Sequence, residues 1–127
     1  MNLQINGVSF EIEDAHELQK ILEQIHRRPF AEVWMQPAAT WPTICALVNA
    51  DAAWLMYLRF DGNAGFSTRN PDYSGAPNAV IEYRLTNGQR DEYPAAWDIS
   101  TVEALRALTH FFEKKEMAPW LVWHENS

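Results

Sequence analysis

Apolar and polar residues alternate along this chain in a pattern that predicts strands broken by two helices. Leu3 and Ile5 alternate with polar neighbours, and Val8-Ser9-Phe10-Glu11-Ile12 alternates again after Asn6-Gly7. An Asn-Gly pair tolerates the positive φ angles of a tight turn, so these residues predict a β-hairpin. Asp14 then stands as a helix cap, with Glu17 at the third helical position. Leu18, Ile21, Leu22 and Ile25 recur at helical spacing and form one apolar face. Arg27-Arg28 favour the negative end of the helix dipole, and Pro29 stops the helix.

Downstream the period shortens to two. A short strand is predicted from Glu32 to Gln36 and a mostly apolar one from Thr43 to Val48. Asn49-Ala50-Asp51 turns the chain into a third, from Ala53 to Phe60. So short a turn makes these last two antiparallel neighbours. Trp54, Met56, Leu58 and Phe60 share one face; Leu55, Tyr57 and Arg59 share the other. Residues 61–78, rich in Gly, Pro, Asn, Asp and Ser, predict a long loop with a short strand near Phe66-Ser67. Loops of this length are often functional or mobile. Ala79 to Leu85 predicts a strand, Asn87-Gly88 a turn, and Gln89 to Tyr93 a polar edge strand.

Ser100-Thr101-Val102-Glu103 has the form of a capping box, with Ile99 and Ala104 placed for a hydrophobic staple. The helix it opens runs to about Lys115 and points Leu105, Leu108, Phe111 and Phe112 inward. Trp120 to Trp123 predicts a final strand, with Trp123 in the core and Trp120 on the opposite sheet face. Together these elements predict one α+β domain over residues 1–127. Two main helices pack against an antiparallel sheet of meander hairpins, and the C-terminal strand returns to that sheet.

Composition narrows the function classes. The chain has 127 residues, 47% of them apolar and 13% aromatic, enough for one core without staples. The lone Cys45 excludes an internal disulfide and a multi-cysteine zinc site, and suits a reducing cytoplasm. No apolar run approaches the roughly 18 residues of a membrane span, and MNLQINGVSF lacks the pattern of a signal peptide. The expectation is a cytoplasmic protein without membrane contact. The net charge of −7, from 17 acids and 10 bases, disfavours direct binding to nucleic-acid phosphates. It permits a basic protein partner steered electrostatically, and it equally fits plain solubility.

Catalytic signatures are missing. His16-Glu17 begins no HExxH helix, Gly62 and Gly65 form no phosphate loop, and neither a nucleophile elbow nor a zinc-deaminase pattern occurs. His16, His26, His110 and His124 are scattered; a metal pair at His110 and His124 would need a third donor. Glu11, Glu13, Asp14 and Glu17 fit a solvated face near a helix N-terminus better than a general acid–base pair. Neither a metal nor another cofactor is expected. Trp54 and Trp123 alternate with apolar residues on strands and predict core positions, and Trp34 is similar. Trp41 and Trp97 lie in loops, where a tryptophan either folds over the core edge or anchors an interface.

Several stretches also resemble a known family. Near the C-terminus they are Glu103-Ala104-Leu105, Ala107, Phe111-Phe112, Pro119 and Leu121-Val122-Trp123-His124-Glu125. Upstream they are Ala46-Leu47-Val48-Asn49-Ala50-Asp51, Ala52-Ala53-Trp54-Leu55-Met56-Tyr57-Leu58 and Gly65-Phe66-Ser67. In order and spacing, over about residues 30–125, they resemble immunity protein family 1 of bacterial polymorphic toxin systems. Lys115-Glu116-Met117-Ala118 departs from the family, which usually has a glycine between helix and proline. The resemblance implies a cytoplasmic antidote, not an enzyme, that binds a cognate toxin catalytic domain, often a nucleobase deaminase. The matched positions are scaffold residues and transfer no active site.

Loop placement, charge and aromatic content nominate a toxin-binding surface at Asp61, Asp72, Tyr73, Arg90, Asp91, Glu92 and Trp97. Carboxylates on loops could occupy the basic substrate cleft of a nucleic-acid enzyme, most simply as a monomer in a one-to-one complex. Two rivals remain open. One is a small-molecule binding module or small enzyme with a helix–sheet pocket; the other is a subunit of a larger assembly.

Overall fold

The Asn6-Gly7 pair takes φ angles of 50° and 83° and joins β1 (Asn2–Ile5) to β2 (Val8–Glu11) in a computed structural model that describes residues 1–26 and 28–127. Helix α1 (Ala15–Ile25) starts where Asp14 Oδ1 accepts from the Glu17 amide at 2.9 Å. Glu17 returns the contact by accepting from the Glu13 amide at 2.8 Å. The first bond satisfies an orphan donor of the first turn, and the second ties the residue before the cap to the helix. Leu18, Leu22 and Ile25 are buried, and Ile21 is half-buried beside them. Arg27, the first of the two arginines expected to favour the helix end, lies outside the described residues.

The chain continues through β3 (Phe30–Gln36), β4 (Thr43–Asn49), β5 (Ala52–Leu58) and β6 (Phe66–Arg69). Then come β7 (Val80–Arg84), β8 (Arg90–Pro94), a 3-10 turn (Ala95–Trp97) and the two-residue β9 (Ile99–Ser100). Helix α2 (Thr101–Lys114) and β10 (Val122–Glu125) complete it. Among the described residues the main sheet runs β10-β6-β5-β4-β3-β1-β2, antiparallel throughout, with β9 beside the start of β5. Half of the capping box forms: Ser100 Oγ accepts from the Glu103 amide at 3.1 Å, while the Glu103 carboxylate turns to Arg106 and Trp120 instead. This is the α+β architecture that the hydrophobic pattern predicts.

Three local expectations are refined or corrected. First, the short strand expected near Phe66-Ser67 forms and runs on to Arg69, dividing residues 61–78 into two connections. Phe66–Arg69 pairs with β5 on one side and β10 on the other, so Ser67 and Thr68 are buried. Thr68 Oγ1 satisfies itself there by donating to the Trp97 carbonyl at 3.2 Å. Second, β7 and β8 pair only with each other and lie across one face of the main sheet, rather than extending its edge.

Third, the last strand begins at Val122, so Trp120 is not on the sheet at all. It sits in the turn after Pro119, closed by the Leu121 amide donating to the Ala118 carbonyl at 3.3 Å. Trp123 is half-buried at the margin of the core rather than inside it, with Nε1 donating to the Ala118 carbonyl at 3.0 Å.

Alternation puts β3, β4 and β5 between two cores. Val33, Met35, Ile44, Ala46, Val48, Leu55 and Tyr57 face the helices, which deliver Leu18, Leu22, Leu108 and Phe111. Cys45, Leu47 and Trp54 face the other way, under Tyr83, Ile81, Tyr93 and Trp97. A strand buried on both faces reads as a nearly continuous apolar run, which is the pattern of Thr43 to Val48. No helix among the described residues is long and apolar enough to cross a membrane.

Candidate functional site

The nominated surface residues divide into separate groups. Asp61 is exposed in the turn before β6, whereas Asp72 and Tyr73 follow its other end, so β6 separates them. Asp72 is exposed, and its amide donates to Asn70 Oδ1 at 3.0 Å. The Tyr73 hydroxyl donates to the Ala76 carbonyl at 2.7 Å, folding the ring over its own loop. Arg90 and Glu92 are exposed on β8. Arg90 reaches Glu82 at 3.8 Å, and Glu92 lies directly opposite Glu82 in the hairpin.

Asp91 is half-buried; its carboxylate accepts from Gln89 Nε2 at 2.7 Å and from the Tyr93 hydroxyl at 3.2 Å. Trp97 folds back over the core edge. Tyr93 stacks 5.9 Å from it, and the Arg69 guanidinium lies 3.9 Å from its ring centroid. Burial lowers the Arg69 pKa from its ordinary value; the ring face, the Ser67 hydroxyl at 2.9 Å and the Thr68 carbonyl at 2.8 Å are the cation's compensating partners. Trp41 is half-buried in the β3–β4 connection.

Polar contacts clasp the β7–β8 hairpin to the sheet. Glu32 Oε1 accepts from the Thr86 amide at 2.8 Å and the Thr86 hydroxyl at 2.6 Å. Glu32 Oε2 accepts from Trp34 Nε1 at 3.0 Å. Burial pushes the Glu32 carboxyl up, but these three donors outweigh it and leave its pKa lowered. Asn49 Nδ2 donates to the Glu82 carbonyl at 2.8 Å. Beneath the hairpin, Asp98 is only 5% exposed. Burial pushes its carboxyl up to about 6 against the opposing effect of the Tyr83 hydroxyl, which donates to it at 2.6 Å.

A different exposed side chain, outside the nominated set, is also fixed in place. Trp120 is 43% exposed, yet Nε1 donates to Glu103 Oε2 at 3.1 Å. The other oxygen of Glu103 accepts from Arg106 at 3.1 Å, and the Arg106 guanidinium lies 5.1 Å from the Trp120 ring centroid. His110 meets the ring edge-on at 5.2 Å and is itself held 2.9 Å from Glu116. Successive turns of α2 thus fix an indole that still faces solvent.

Trp120 stands between two concavities. One, of about 440 Å³, is the groove between α1 and α2, floored by Leu22 and Leu105 and edged by the exposed Val102. Gln19 Nε2 donates to Thr109 Oγ1 across it at 2.9 Å, tying the helices together. The other, of about 330 Å³, lies between α2 and the end of β6 and includes Asp72, Glu103 and the exposed Val122. A fixed aromatic beside apolar recesses, rimmed by charge, has the makeup of a binding hot spot. Of the nominated residues, Asp72 belongs to this surface.

Sequence reasoning missed this surface because it placed Trp120 on a strand. The available signal was Pro119, which favours a turn immediately before the indole. No protein-family model matches the chain, and no curated protein matches it.

Proposed function

We propose that this protein is an immunity protein that binds and neutralises a cognate polymorphic toxin domain, a nucleic-acid-directed deaminase, by occluding its active site. It acts in the cytoplasm as a monomer in a one-to-one complex and carries no catalytic activity of its own. The observation that carries this reading is the arrangement of the stretches resembling immunity protein family 1. They fall on the β4–β5 hairpin, β6, α2 and β10. These elements are direct neighbours: β6 joins β5 to β10, and α2 packs on β4 and β5. The stretches therefore make one continuous scaffold.

The acidic balance supports the same reading, because an enzyme that acts on nucleic acid presents a basic cleft. The test is co-expression with a candidate deaminase toxin domain taken from its gene neighbourhood. Survival of cells that die without this protein is the expected result. Death in its presence, with the protein folded and abundant, would refute the reading.

One feature favours a second reading, a small-molecule binding module or small enzyme. The α1–α2 groove brings His26, His110 and Glu113 to one apolar concavity. That site lies between helices rather than between helix and sheet. A ligand retained through purification, identified by mass spectrometry of the denatured protein, would favour it.

A further inference from the structure

The outer face of the helix pair combines an apolar groove, a fixed indole and, among the described lining residues, two glutamates against one arginine. Leu22, Val102 and Leu105 line the groove, and Trp120 closes one end. Glu23 and Glu113 also line it, while Glu103 and Glu116 hold Trp120 and His110 in place. The lining contributes one guanidinium among the described residues, that of Arg106, and Glu103 already engages it. Such a face offers apolar burial along its floor and, beside His26 and His110, Glu23 and Glu113, whose carboxylates take part in no ion pair among the described residues.

We propose that this face docks a cationic amphipathic helix of a partner protein. Its apolar side chains seat on Leu22, Val102 and Leu105 against Trp120, and its Lys or Arg residues reach Glu23 and Glu113. Two features select a helix. A groove between two packed helices presents ridges that a third helix can interdigitate. The 11 residues of α1 extend about 16 Å, matching roughly three turns of a partner helix. Apolar anchors recurring along one helical stripe would meet the floor while flanking cations meet the rim. Fixed before binding, the Trp120 ring loses little freedom on contact.

The inference is carried by this face itself and goes beyond the antidote reading. A toxin helix would satisfy it, and so would a basic helix of any other partner.

The test uses the full chain and two synthetic peptides of about 14 residues each. Both place Leu at helical spacing; one has Lys and Arg elsewhere, the other Glu. Amide and indole NMR spectra of the labelled protein report where each peptide binds. The cationic peptide is expected to move the Trp120 indole and the amides of Leu22, Val102 and Leu105. It is expected to bind at least about tenfold more tightly than the acidic one.

Val102→Asp, on an exposed helix position, and Glu113→Lys should each weaken it by about tenfold while leaving the rest of the spectrum unchanged. Equal binding of both peptides, or shifts confined to β7–β8, would overturn the proposal. So would indifference to both substitutions, or self-association that covers the face with a second copy. Because no toxin is used, failure of the rescue experiment leaves this result standing. Rescue by a Val102→Asp, Glu113→Lys protein of undiminished toxin affinity would exclude the face as the toxin site without touching the antidote reading.

Discussion

The Tyr83 hydroxyl donates to Asp98 Oδ1 at 2.6 Å beneath the β7–β8 hairpin, where Tyr83 is fully buried and Asp98 nearly so. The other Asp98 oxygen has no partner among the described residues. Burial disfavours the charged carboxylate, the Tyr83 bond partly restores it, and the carboxyl is pushed up to about 6 from 3.8. The folded state therefore holds its proton at a pH where the unfolded chain has released it. This contribution to stability is greatest below the unfolded pKa and is lost as pH rises towards 6 and beyond. The loss is on the order of 3 kcal/mol. Urea unfolding at pH 4 and pH 7 should show this fall in the native protein and not in Asp98→Asn. An identical pH response in the two would contradict the assignment.

Glu32 behaves with the opposite sign. Its pKa is lowered by the Thr86 and Trp34 donors, so its contribution is present above the ordinary carboxylate range. That contribution fades as pH falls through the folded pKa. Glu32→Ala should cost about 1–3 kcal/mol and release the hairpin tip first. Hydrogen exchange should rise across β7 and β8 while the β3–β4 pairing stays protected.

Gly65 and Gly62 make a matched pair. Both have φ of +78°, but a Cβ at Gly65 would meet the Tyr57 carbonyl oxygen at 2.5 Å, whereas one at Gly62 would meet nothing within 4 Å. Gly62→Ala should cost about 1 kcal/mol from backbone strain alone. Gly65→Ala should cost at least about 2 kcal/mol, because β5 backbone must also move. Thermal unfolding of both variants gives the comparison, and equal losses would disprove the close approach.

Lys115 ends α2 in the left-handed region, at φ 56° and ψ 36°, where the resembling family usually has a nearby glycine. Glycine adopts that conformation without a Cβ penalty. Lys115→Gly should therefore stabilise the protein by about 0.5–1 kcal/mol. A higher urea midpoint with an unchanged slope would confirm it.

What was legible in the sequence was mostly local. Asn6-Gly7, the Asp14 cap and the Ser100 cap each act within four residues and form as read, whereas Glu103 leaves its half of the box for Arg106 and Trp120. The alternation from Thr43 to Leu58 gives the register of the central hairpin, because one slip would exchange its two faces. The placement of β7–β8 was harder, although Trp54 and Met56 on the face away from the helices required a cover. Phe66–Arg69 carries little apolar signal of its own; β5 and β10 bury it from either side.

The candidate surface was less legible still. Trp120 reaches Glu103 across 17 positions of sequence, a contact that exists only after α2 and the following turn have packed. Loop composition and charge pointed to Asp72, which does border the second recess, and to Asp61, which lies beyond the other end of β6. Composition can mark residues as available for contact. It carries no information about which of them fold onto one face.

The most direct test of the antidote reading mixes the purified protein with the catalytic domain of a candidate deaminase toxin taken from its gene neighbourhood. Size-exclusion chromatography with light scattering reads the complex, and deamination of a nucleic-acid substrate reads the inhibition. A one-to-one complex and a loss of activity that titrates with it are expected. Separate elution of two folded proteins, with deamination undiminished, would contradict it.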